Sequence, residues 1–212
     1  MASHIVCFGD SLTAGYQVPT RENPGGVQTP YGEFLKQRLG PQVQIAISGI
    51  CGELTAEMAM RFRRDVLART PRYVVILGGT NDLGWNAQPA DIMRNLLKMY
   101  ETARAGGIVP VPVTVPSIRI DVMEAGREGQ TFIEQHLGRR DELNALIQRY
   151  AESKDLAWVD LFTATAEPTT RQLAEQYSND GLHLSTEGYQ QFATLLYDRI
   201  FGEAFSSTEN TR

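Results

Sequence analysis

Short runs of apolar, often β-branched residues alternate along this chain with longer stretches whose apolar positions recur every three or four residues. Residues 4–8, 43–47, 73–77, 108–113 and 157–159 form the short runs, bounded by Gly, Pro, Ser or Asp. Most are apolar throughout, which predicts strands covered on both faces, as in a parallel sheet. Between them, Ile92, Leu96, Met99, Tyr100 and Ala103 fall on one helical face, as do Leu143, Leu146, Ile147 and Tyr150. A last helix is predicted after Ser185 as N-cap, with Tyr189, Phe192, Ala193, Leu196, Tyr197 and Ile200 facing the core. This alternation predicts an α/β protein, a three-layer α/β/α sandwich with right-handed crossovers. No linker divides the chain, so one domain is expected over 1–204, with a polar tail at 205–212.

In an open parallel sheet, chemistry collects beyond the carboxyl ends of the strands. Four segments are expected on that edge: Gly9-Asp10-Ser11, "SGICGELT" at 48–55, "GGTNDLGW" at 78–85 and "NDGLHLSTEGY" at 179–189. Ser11 is either a helix cap or a nucleophile, and a nucleophile needs a base. Of the three histidines, His4 starts the first strand at its wrong end, and His136 lies in a polar helix and is expected to face solvent. His183 remains. Asp180, three residues before it in a compact turn, can reach its Nδ1–H and leave Nε2 to take a serine proton. Oxyanion donors are available from the Ser11 N–H, from Gly52, expected at the head of a helix, and from the Asn81 side chain.

The remaining numbers narrow the field. The chain has 212 residues, 42% hydrophobic, and a net charge of −5, which suits one globular domain and offers no basic patch for nucleic acid. The basic cluster "RFRR" at 61–64 is expected on a solvated helix face. No stretch is long and apolar enough to span a bilayer and no secretory signal is visible, so a cytoplasmic location is expected. Cys7 and Cys51 are expected to be buried free thiols. No His or Cys cluster completes a metal site around Asp180 and His183. "ISGICG" lacks the first glycine of a dinucleotide fingerprint, and Ser11 lacks the second glycine of a nucleophile elbow.

From residue 5 to about residue 200 the chain resembles the SGNH hydrolases of the GDSL lipase/esterase superfamily. The four blocks carry the resemblance: "FGDSLTAGY", "SGICGELT", "GGTND" and "DGLHLSTEGY". It implies a flavodoxin-like fold with a five-stranded parallel sheet. It also implies a Ser11–His183–Asp180 triad, oxyanion donors at Ser11, Gly52 and Asn81, and hydrolysis of esters or thioesters without metal or cofactor. Ile47 and Ser48 stand where the second block often has Asn, and Leu184 where the last often has Pro. The expected substrate is a small acyl ester, cleaved by a carboxylesterase or arylesterase. Thioesterase, lysophospholipase and carbohydrate deacetylase activities are alternatives, and a non-catalytic binding module is the alternative of another class. The interrupted segment 115–132 is expected to supply an apolar wall for substrate through Ile118, Ile120, Val122 and Met123. The sequence carries no sign of the oligomeric state.

Overall fold

The structure, a computed structural model, describes residues 4–206 apart from residues 22 and 121 and the side chains of 122–125 and 206. Its frame is a parallel sheet of four strands, β1 (Ile5–Gly9), β4 (Ile45–Gly49), β5 (Tyr73–Leu77) and β6 (Val109–Pro112), in the order β4-β1-β5-β6. A small antiparallel pair, β2 (Tyr16–Gln17) and β3 (Val27–Gln28), stands beside it.

Period-two alternation in β1 sends Ile5 and Cys7 to one face and Val6 and Phe8 to the other. Both faces are fully covered. Ile5 and Cys7 pack with Leu35 of α2 (Tyr31–Leu39) and with Phe192 and Leu196 of α8 (Thr186–Leu196). Val6 and Phe8 pack with Met58 and Phe62 of α3 (Thr55–Asp65) and Leu96 and Met99 of α5 (Pro89–Ala105). Leu143 and Ile147 of α6 (Val122–Ser153) join the same core. The three-layer α/β/α sandwich is therefore present.

The sheet has four strands where five were expected. Residues 157–159 make only an isolated parallel bridge, Val113 to Val159, held by Val159 N–H to Pro112 O and Thr114 N–H to Val159 O, both 3.0 Å. The cause lies in β6. Val109 N–H points inward to Arg72 O at 3.0 Å, so Pro110 and Pro112 fall at the outward positions and remove the donors a fifth strand would need. Asp160 then caps α7 (Leu161–Thr165) and ends the run. The segment after β6 is also more ordered than expected: α6 starts at Val122 and continues through a break at Gly126 (φ 60°). The boundary placed after residue 204 falls inside α9 (Gly202–Ser206), where the Phe205 ring lies 6.0 Å from that of Tyr73.

Candidate active site

Ser11 opens α1 (Ser11–Ala14), a single turn that starts where β1 ends. Asp10 is its N-cap, with Oδ1 accepting the Leu12 N–H at 2.9 Å, and Gly15 closes the turn at φ 76°. The turn presses on the strand ends so closely that a Cβ on Gly9 would overlap Thr13 Oγ1, and one on Gly49 would overlap Ala14 N. Two glycines thus let the helix sit on the sheet edge and fix where Ser11 stands. The Ser11 hydroxyl makes no hydrogen bond to another group among the described residues, and the side chain is nearly buried. Asp10 is fully buried with Oδ2 unpartnered, and burial pushes its carboxyl up to about 7.

His183 is held from three sides. Asp180 Oδ1 accepts the N–H groups of Leu182 (2.9 Å) and His183 (2.8 Å), and Oδ2 lies 2.7 Å from His183 Nδ1. That contact places the proton on Nδ1 and leaves Nε2 as the free acceptor. Burial works against the Asp180 charge, but the hydrogen bonds from the His183 ring and the two backbone N–H groups prevail and hold its carboxyl down to about 2. Tyr16, just after α1, packs its ring edge-on against the imidazole at 4.8 Å. Tyr189 donates to Tyr16 O at 2.9 Å and Gln17 Nε2 donates to Thr186 Oγ1 at 2.9 Å. These contacts tie the serine segment to the histidine segment, which lies at the far end of the chain.

Two further groups face the same edge. Gly52 lies in a turn at φ 78° and does not head a helix as expected; α3 begins three residues later, after Leu54. A Cβ at Gly52 would meet open space, and its N–H donates to no backbone acceptor among the described residues. Asn81 lies in α4 (Thr80–Gly84), directly after β5. One N–H of its amide donates to Glu53 O at 3.0 Å, which fixes the amide plane and leaves the second N–H for a ligand. Asp82 holds the start of α3 through Thr55 N (3.0 Å) and Thr55 Oγ1 (2.7 Å).

Behind these donors sits Arg61, 7% exposed and not on a solvated face. Its guanidinium clasps Glu53 through Nε (2.7 Å) and Nη2 (2.5 Å) and donates to Gly9 O at 2.9 Å and Ser48 O at 3.2 Å. It also reaches Ser48 Oγ (2.6 Å) and Asp65 Oδ2 (2.8 Å), and lies over the Phe8 ring at 4.2 Å. Hydrogen bonds from Arg64, Arg61 and Ser48 hold the Asp65 carboxyl well below the usual carboxylate range. One side chain thereby joins the ends of β1 and β4 to the residue whose carbonyl orients Asn81.

A cleft of about 410 Å³ runs beside Asn81 and Asp180. Its lining includes Thr80, Gly84 and Trp85, the Ile118–Arg119–Ile120 segment, and Phe132, His136 and Arg140 of α6. Of the residues expected to form an apolar wall, Ile118 and Ile120 line this cleft; the side chains of Val122 and Met123 lie outside the described residues. A separate hollow of about 460 Å³, lined by Asp141, Asn144, Phe162 and Arg171 among others, contains none of the site residues.

The family model of the GDSL-like lipase/acylhydrolase family matches residues 7–191. The chain belongs to the GDSL-like lipase/acylhydrolase family. Its fold is similar to the crystal structure of the lipase/acylhydrolase from Enterococcus faecalis, with a TM-score of 0.72 and 28% identity, covering 96% of this chain and 97% of that one. It is also similar to the native M. smegmatis aryl esterase, with a TM-score of 0.73, 18% identity and coverage of 95% and 99%. The uncharacterized lipoprotein YqeF of Bacillus subtilis (strain 168) is 32% identical over 116 residues, 52% of this chain. That match spans about half of the relative's length, 47%.

Several residues around this GDSL-family site escaped the sequence. His136, expected in solvent, is 4% exposed and lines the cleft, where burial pushes its imidazole down to about 4. Its spacing from Phe132 and Arg140, four residues each way, was the available signal of a shared helix face. Cys51, expected to be buried, is exposed beside Gly52, whereas Cys7 is buried.

Proposed function

We propose that this chain hydrolyses carboxylic esters through an acyl-serine intermediate. Ser11 Oγ attacks the acyl carbon while its proton passes to His183 Nε2, and Asp180 holds the imidazole and stabilises the imidazolium that forms. The carbonyl oxygen becomes an oxyanion between the N–H groups of Ser11 and Gly52 and the free N–H of the Asn81 amide. Collapse breaks the ester C–O bond, and His183 returns the proton to the leaving alcohol. Water then attacks the acyl-enzyme by the same path and releases the acid and free Ser11. The observation that carries this reading is the 2.7 Å contact of Asp180 Oδ2 with His183 Nδ1, on the sheet edge where Ser11 opens α1.

Small carboxylic esters, aryl esters among them, fit the cleft. Trp85 and Phe132 are large exposed aromatics that line it and offer flat surfaces to an aryl leaving group. The test is release of 4-nitrophenol from 4-nitrophenyl acetate. Wild type is expected to turn over and His183→Ala to lose nearly all activity. Equal rates in the two proteins contradict the reading.

A further inference from the structure

The cleft beside Asn81 carries positive charge that the ester mechanism does not use. Arg140 is 1% exposed; it donates from Nη1 to Pro116 O at 2.6 Å and from Nη2 to Thr80 Oγ1 at 2.9 Å, and its Nε has no partner among the described residues. Arg119, half-buried and lining the same cleft, donates from Nη2 to Ser178 O at 3.0 Å, and its Nη1 is buried with no partner among the described residues. His136 stands between Phe132 and Arg140 on α6, with Nδ1 unpartnered among the described residues. No carboxylate among the described residues lies within ion-pair distance of either guanidinium. The acid that lines the cleft, Asp180, is committed to His183. Burial works against the Arg140 charge and the Asp10 carboxyl favours it without pairing with it, and Thr80, which anchors the guanidinium, is the residue next to Asn81.

We propose that this cleft is an anion subsite, and that the esters this protein hydrolyses best carry a carboxylate or phosphate group beside the scissile bond. The inference rests on the ester-hydrolase reading above. The anionic oxygens dock on the half-buried Arg119, with the charge of Arg140 lining the same cleft. The apolar surfaces of Ile118, Ile120 and Trp85 hold the chain between that group and the ester. The site selects among esters and performs no chemistry of its own.

The test uses the full chain with mono-4-nitrophenyl glutarate, a 4-nitrophenyl ester ending in phosphate, and neutral 4-nitrophenyl butyrate. The quantity read is kcat/KM for each charged ester divided by that for the neutral one. Wild type is expected to favour at least one charged ester by about tenfold or more, the contribution of one charge-assisted hydrogen bond. That ratio should fall to about one in Arg119→Gln. Because the ratio is internal to each protein, a general loss of activity does not move it. Arg119→Gln, at the less buried of the two arginines, carries the test if Arg140→Met fails to fold. Which charged ester is preferred separates carboxylate from phosphate recognition. A wild-type ratio at or below one for both, or a ratio unchanged in Arg119→Gln, overturns the inference. If no ester is hydrolysed, the ester reading fails, and calorimetric titration with glutarate and with inorganic phosphate reads the subsite directly. Binding that is lost in Arg119→Gln sustains it; absence of binding overturns it.

Discussion

Replacing Arg61 by Met should damage both stability and catalysis, and for separable reasons. Arg61 and Glu53 are 7% and 8% exposed, so removing the guanidinium leaves a carboxylate buried with no counter-charge. Breaking such a pair from one side costs about 3–5 kcal/mol. For a chain of this length each kcal/mol moves the melting temperature by roughly 2–4 °C, so a drop on the order of 10 °C is expected. The catalytic effect comes from geometry. Without Arg61 the Glu53 segment keeps its backbone link to Gly9 O through Ile50 but loses the side-chain clasp to Gly9 O and Ser48 O, and the Glu53 carbonyl is what orients the Asn81 amide. Displacing one oxyanion donor lowers kcat by about 10²–10³. The double variant Arg61→Met, Glu53→Met removes both charges and should regain most of the lost melting temperature while kcat stays low. Thermal melts and steady-state kinetics on 4-nitrophenyl acetate measure the two quantities. A single variant that melts lower yet keeps wild-type kcat, or a double variant that recovers kcat along with stability, would refute a positioning role.

Asn81→Ala should lower kcat by about 10²–10³ with little change in KM, because a donor in the proposed oxyanion hole acts mainly on the transition state; a change confined to KM would make it a binding residue. Asp10 should make the protein less stable as pH rises. Its folded carboxyl, pushed up to about 7 by burial, keeps a proton that the unfolded chain loses near 3.9, so stability falls between about pH 4 and pH 7 and is level above. The melting temperature of Asp10→Asn relative to wild type should therefore rise between pH 4.5 and pH 8, and a constant difference would contradict this. A bulky maleimide should react at exposed Cys51 and spare Cys7, whose buried thiol is pushed up to about 12, and should block ester hydrolysis in wild type but not in Cys51→Ser. Full activity of the modified protein would place the Gly52 turn away from the reaction.

The segments after the strands were legible because strand ends and turn residues are local signals. The Gly-Asp-Ser turn, the Asn-Asp pair after β5 and the Asp-Gly-Leu-His loop needed only the strands before them or the helix after them to be placed. The features that escaped depend on partners distant in sequence or on hydrogen-bond direction. Arg61 reads as one charge in a basic run, and only Glu53, Gly9 and Ser48 folding around it make it interior. His136 reads as part of a polar helix until Arg140 and Phe132 turn the same way into the cleft. The missing fifth strand was written in the Val-Pro-Val-Pro alternation of β6, whose prolines withdraw every outward N–H. That signal is legible only once Val109 is known to face inward, toward Arg72.

The central claim is that Ser11 is the nucleophile, and covalent labelling tests it most directly. The intact protein is treated with a fluorophosphonate, digested and mapped by mass spectrometry, with Ser11→Ala treated in parallel. One adduct is expected, on the peptide that contains Ser11, with loss of ester hydrolysis in proportion to labelling and no adduct in the variant. An adduct on another residue, or ester hydrolysis that persists in a folded Ser11→Ala protein, contradicts the account.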